Sequence, residues 1–155
     1  SSFLGSPDAV ANARAEFETN FFGLWAVTQA FAPVLAANGG GGVINVLSAL
    51  AWTTFPSVAT YSATKSAAWS LSNGLRNELA GQGTQVTSLH VGYMDTDMTA
   101  HIQGLPKASP DDVARQALAG LEAGQAEVLA DETSRQLKQG LSSATPPYAS
   151  VPLAA

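Results

Sequence analysis

The chain has 155 residues, seven Lys and Arg against twelve Asp and Glu, a net charge of −5 and no cysteine. It is 46% hydrophobic and only 12% charged, well below the ~25% usual for soluble domains, which excludes a charge-rich disordered tail or coiled coil. Scarce cations exclude a nucleic-acid partner, whose phosphates need clustered Lys and Arg, and the missing cysteines exclude disulfides and Cys-ligated zinc.

The length suits one domain. The chain opens at Ser1 and its first methionine is Met94. Its first seven residues lack the basic and apolar segments of a signal peptide. The expectation is therefore that these residues are the interior of a longer protein. A loop over 1–12 leads into a helix, with Asp8 or Asn12 as candidate cap. From Ala13 to Ala37 apolar residues recur at helical spacing, through Phe17, Phe21, Leu24, Thr28, Phe31 and Leu35. Phe22, Trp25 and Ala32 lie off that stripe, which predicts a helix buried on more than one side. No charged residue stands between Glu18 and Lys65. A membrane span is the alternative for this helix, but Phe21–Ala37 is short for one and carries Gln29 and Pro33. A helix between a sheet and a partner subunit is the preferred reading.

Asn38–Gly42 reads as a helix-ending turn. Val43–Leu47 is a short β-rich run, and Ala49–Ala59 a loop with Pro56. A helix from about Tyr61 to Ala80 ends near Gly81–Gly83. Gln85–Val91 is a second strand. The stretch 92–110 is irregular, and the next helix, 111–123, has Ser109 as cap and Pro110 at its first position. Ala126–Ala130 is a third strand, Asp131–Gly140 a final helical turn or two, and 141–155 a loose tail. Alternating helices and strands imply parallel strands with right-handed crossovers. The fold class is α/β, a sheet of about three strands whose first edge nothing in the chain covers.

Tyr61 and Lys65 are one helical turn apart. A free phenol, with a pKa near 10, is a poor acid–base catalyst at neutral pH, and a neighbouring cation favours phenolate. Such a pair moves a proton to or from an alcohol oxygen. Ser48 follows the first strand directly, at the carboxyl end where open α/β sheets place ligands. Its hydroxyl is suited to hold a substrate oxygen. Trp52, Phe55 and Tyr93 flank these positions as candidate apolar walls of a substrate pocket. His90 is strand-borne and reads as packed, and His101 as solvent-facing. Trp25 and Trp69 read as core or subunit contacts. Asp95 and Asp97 make a polar lid loop, and no pattern of metal ligands is present.

Ser48 followed by Tyr61-Ser-Ala-Thr-Lys65 resembles the catalytic core of the short-chain dehydrogenase/reductase family. Thr19-Asn20-Phe-Phe-Gly23 is similar to the family's Asn-bearing helix motif. His90-Val-Gly-Tyr-Met-Asp-Thr96 resembles its Pro-Gly-x-x-x-Thr loop, with Val91 in place of the proline. The resemblance covers about Ala13 to Ala130. It implies a truncated Rossmann-like, doubly wound parallel sheet in which 1–140 are the catalytic portion of one domain. It implies that Tyr61 is the general acid/base and that Lys65 lowers its pKa and binds nicotinamide ribose. Ser48 would orient the substrate oxygen, Asn20 would support a proton relay, and Gly92 and Thr96 would hold the carboxamide. The implied activity is interconversion of an alcohol and a carbonyl with NAD or NADP. The implied partners are a small-molecule substrate and further copies of the chain in a homodimer or homotetramer, in the cytoplasm, with no nucleic acid and no membrane.

The family's Gly-rich phosphate turn has no counterpart. Gly39–Gly42 precedes a strand and follows a helix, the reverse of the order a phosphate loop needs. The residues that choose NAD or NADP would lie in the missing half, and activity of this chain alone is uncertain on that ground. Two other readings stand beside the first. One is a non-catalytic module that dimerises through its long helices. The other is a serine acyl-transfer enzyme using Ser62-Ala-Thr-Lys65, although the companion S-D-N and K-T-G elements of that class are absent.

Overall fold

The structure, a computed structural model, describes residues 2–149. A three-stranded parallel sheet carries the chain, in strand order β1 (Gly41–Val46), β2 (Thr84–His90), β3 (Glu127–Leu129). Val43 faces Val86 and Val46 faces Leu89, while Leu89 faces Val128 on its other side. The ladder continues past the strands, where Leu47 N–H donates to the Leu89 carbonyl at 2.8 Å and Ala130 N–H to the His90 carbonyl at 2.9 Å.

Side chains alternate strictly between two faces, as a pleated strand requires. On one face Val86 packs with Leu75 and Leu79 of α3 (Ala59–Leu79), joined by Val43 and by Leu24 and Ala32 of the first helix. On the other, Leu89, Val91 and Val128 pack with Val113 and Ala117 of α4 (Pro110–Glu122). Covering both faces with crossover helices makes this a doubly wound α/β sheet. A last helix, α5 (Glu132–Gly140), follows β3, and Asp131 caps it by accepting a hydrogen bond from Ser134 N–H at 2.8 Å. Part of the expected tail, 150–155, lies outside the described residues.

The first helix differs most from expectation. It begins earlier, at Ala9, and Asp8 stands at its start without a side-chain cap bond. It runs as α1 (Ala9–Phe17), a π-helical segment Glu18–Phe22 and α2 (Gly23–Ala37). The wider π turn shifts the helical phase. The inward line is accordingly Asn20, Leu24, Thr28 and Ala32, and Phe31 is 58% exposed. Among the expected stripe only Thr28 is buried. By length and composition the helix could cross a membrane, yet it lays one face on β1 and α3. Its outer face is bare, with Phe21 against Phe17, Phe22 and Trp25 edge to face. Burial on a second side would need a partner that a single chain does not supply.

The glycine run divides in two. Gly39 N–H reaches the Ala36 carbonyl at 3.0 Å and Gly40 N–H the Leu35 carbonyl at 2.8 Å, the paired bonds of a Schellman helix end. Gly41 and Gly42 already belong to β1, two residues before the expected start. The edge of β1 away from β2 pairs with nothing among the described residues. A groove of about 490 Å³ follows it, between β1 and the inward face of α2.

Candidate active site

Each strand delivers one site residue just beyond its carboxyl end: Ser48 after β1, Gly92 after β2, Asp131 after β3. In-register parallel pairing brings these three ends to one edge of the sheet. Ser48 is extended and buried, and its hydroxyl accepts from Leu50 N–H at 3.1 Å. Tyr61 stands in the first turn of α3. Burial pushes the Tyr61 phenol above its usual 10, and the nearby Ser48 hydroxyl works the other way.

Lys65 lies on the same helix face, with its ammonium 5.6 Å from the centre of the Tyr61 ring. The ammonium donates to the Val46 carbonyl at 3.0 Å, on the unpaired edge of β1. Burial lowers its pKa below 10.5. The net direction for Tyr61 is upward, because desolvation outweighs the Ser48 hydroxyl, the one neighbour acting on it in the other direction. Asn20 sits within the π segment. Its side-chain amide donates to the Thr64 hydroxyl at 3.0 Å, which donates to the Tyr61 carbonyl at 2.7 Å. Thr64, fully buried, ties Asn20 to the turn that carries Tyr61.

A cleft of about 300 Å³ opens beside Ser48, with Phe55, Tyr93 and Leu105 among its walls. Phe55 and Tyr93 line this cleft. Trp52 does not: it is 6% exposed, stacks on the His90 ring at 4.0 Å and lines a separate depression with Ser62 and Ser66. His90 is fully buried, and its Nδ1 lies 3.1 Å from the Ser48 carbonyl. A carbonyl only accepts, so Nδ1 carries the proton. Beyond Trp52, Lys138 lies over both Trp52 and Trp69 and pairs with Glu127 at 2.6 Å.

Gly92 N–H donates to Asp131 Oδ2 at 2.6 Å. Thr96 does not join the cluster: its side chain caps the short turn Asp97–Thr99. Ser62 is buried, and its hydroxyl is held by the helix through a bond donated to the Val58 carbonyl at 3.0 Å. The described residues hold no group of three or more His, Asp or Glu suited to a metal ion. Three contributors escaped the sequence reading: Thr64, Asp131 and the α5 wall of Thr133, Gln136 and Leu137. Each acts across a long stretch of chain, and only the Asp-to-Ser cap spacing at 131–134 was visible as a local signal.

A doubly wound parallel sheet with Ser, Tyr and Lys gathered at its strand ends is a Rossmann-type architecture. Residues 7–104 match the short chain dehydrogenase family, and the chain belongs to it. An uncharacterized oxidoreductase of Staphylococcus haemolyticus is 39% identical over 99 residues, 63% of this chain and 43% of that one. One from Staphylococcus aureus is 34% identical over 106 residues, 67% and 46% of the two chains. Among solved structures, a short chain dehydrogenase from Burkholderia cenocepacia in complex with NADP superposes with a TM-score of 0.83 at 39% identity, over 92% of this chain and 59% of that one. The chain therefore spans less than half the length of these curated relatives.

Proposed function

We propose that the chain carries the catalytic end of an NAD(P)(H)-dependent oxidoreductase that interconverts an alcohol and a carbonyl. The convergence of Ser48, Tyr61 and Lys65 at the carboxyl end of β1, with Ser48 on the cleft and Lys65 on the groove, carries this reading. In the reducing direction the Tyr61 phenol gives its proton to the substrate oxygen, and in the oxidising direction it takes that proton back. The phenol is protonated at neutral pH, and the upward direction of its pKa makes it a weaker acid, so the proton moves only as negative charge builds on the substrate oxygen. Ser48 holds the substrate oxygen in line. The nicotinamide, when bound, supplies or accepts the hydride.

The residues present fit the nicotinamide end of that cofactor. Lys65 lines the groove beside β1 and, with Tyr61 one helical turn before it, would hold the ribose. Gly92 and Thr96 would hold the carboxamide, Thr96 once its hydroxyl leaves the 97–99 turn. The described residues offer no seat for the pyrophosphate, since the Gly39–Gly40 turn ends a helix at the opposite end of β1. A homodimer or homotetramer formed through the outer faces of α1, α2 and α3, and a cytoplasmic setting, are parts of the same proposal. The bare aromatic face of the first helix favours one alternative, a dimerising module without chemistry.

Titration calorimetry of the 155-residue chain with NADH and NADPH separates the two. The enzyme reading expects stoichiometric binding of one of them, weakened at least tenfold by Lys65→Met. It also expects carbonyl reduction to fall at least a hundredfold in Tyr61→Phe, of the order a lost general acid costs. No binding of either nucleotide would favour the module.

A further inference from the structure

The cleft beside Ser48 is walled by Leu50, Phe55, Tyr93, Leu105, Pro106 and Leu137, and no residue lining it is charged. A carboxylate stands immediately behind the wall. Asp131 holds Gly92 N–H with one oxygen and Ser134 N–H with the other, and Gly92 itself lines the cleft. A Cβ at position 92 would lie 2.8 Å from Asp131 Oδ2, so the missing side chain brings that charge up to the cleft.

No cation nearby answers it. Lys138, next to Leu137, is held by Glu127 and the two tryptophans. Arg135 donates to the Leu129 carbonyl and pairs with Glu132. Lys107 donates to the Thr99 carbonyl, and Lys65 to that of Val46. The chain as a whole carries −5.

We propose that this cleft takes a neutral, mainly apolar ketone or secondary alcohol of modest size and rejects substrates bearing a carboxylate. This rests on the alcohol–carbonyl reaction proposed above and names its substrate class. An anion entering would lose hydration to an apolar wall with no cation in return, and Asp131 would repel it. A volume of about 300 Å³ stands at the small end of ligand sites.

The test uses direct binding, so it does not depend on turnover. Three probes of one skeleton are titrated into the full chain at pH 7: 4-phenylbutan-2-one, 4-(3-oxobutyl)benzoate and the methyl ester of the latter. Methyl NMR signals of Leu50, Leu105 and Leu137 are followed. The ketone and the ester should shift them saturably, and the carboxylate should bind at least tenfold more weakly than its ester. Asp131→Asn, which keeps an oxygen to accept from Ser134 N–H, should narrow that gap. Carboxylate binding as tight as the ester's, or no saturable shift with any probe, overturns the proposal. An unchanged gap in Asp131→Asn overturns the part given to Asp131. Ketone binding in this cleft by a chain that binds neither NADH nor NADPH would count against the reaction proposed above and leave the binding class standing.

Discussion

At the carboxyl end of β1, burial moves Tyr61 up and Lys65 down, so both side chains are biased toward their neutral forms. His90, behind Ser48, follows the same rule more strongly, lowered from 6.5 to about 4 by desolvation. Its unfolded form binds a proton below pH 6.5 that the folded form refuses. Stability therefore falls as pH drops from 6.5 to about 4 and is not lost further by this group below that. The full loss is roughly 3 kcal/mol. Urea midpoints measured across this window should fall more steeply for the wild-type chain than for His90→Gln. Equal slopes would show that His90 does not titrate against burial. Carboxylates titrate in the same range, so the difference between the two proteins isolates His90. Spacing alone marked Ser48, Tyr61 and Lys65, because a strand end and one helical turn are local facts. Where the Lys65 ammonium points was not legible. That depends on an unpaired strand edge 19 residues earlier, and no periodicity records an absent neighbour. Trp52 is close to Ser48 in sequence yet lines a different depression, and sequence proximity does not decide which side it takes.

Among the elements, strands and helices α3 and α4 were legible to within a residue or two, because alternation and amphipathic spacing survive in them. The Gly39–Gly42 run was read whole as a turn, yet half of it is strand. The reason lies in contacts from far along the chain: a Cβ at Gly42 would come within 2.5 Å of Leu121, and one at Gly40 within 2.2 Å of the Gly83 carbonyl oxygen. Gly40 also has φ +111°, whereas Gly124 has φ +73° with nothing near its missing Cβ. Gly124→Ala should cost ~1–2 kcal/mol for the left-handed backbone alone. Gly40→Ala adds a backbone collision and should cost at least twice as much in denaturant titrations. Equal losses would mean that the β1–β2 entrance yields freely.

For the whole molecule, both outer strands are edges among the described residues: β3 is three residues long with Arg135 of α5 on its Leu129 carbonyl, and β1 is six residues long. The β1 edge has the α2 groove on one face and on the other a depression lined by Ile44, Val46 and Leu118. Long unpaired edges with apolar flanks invite further pairing, and the Lys65 ammonium on the Val46 carbonyl places a charge at that edge. The outer face of the first helix is a second such surface, with Phe22 46% and Trp25 44% exposed. If copies associate through it, Trp25→Glu should shift the mass by light scattering toward a single chain while leaving the circular dichroism unchanged. An unchanged mass would remove that face from the assembly.

The π segment at Glu18–Phe22 gives the first helix one residue more than regular α-helical turns would use. In genetic terms it is an insertion that the fold has absorbed. Excising any one residue between 18 and 22 would let the helix run regularly, because the wide turn takes up one residue without turning its flanks against each other. Ala9 would stay buried where α1 meets α3, and only the bulge would go. With it would go the local placement of the Asn20 amide on the Thr64 hydroxyl. A single-codon deletion here would thus spare the helix and strike the one side chain that the bulge presents.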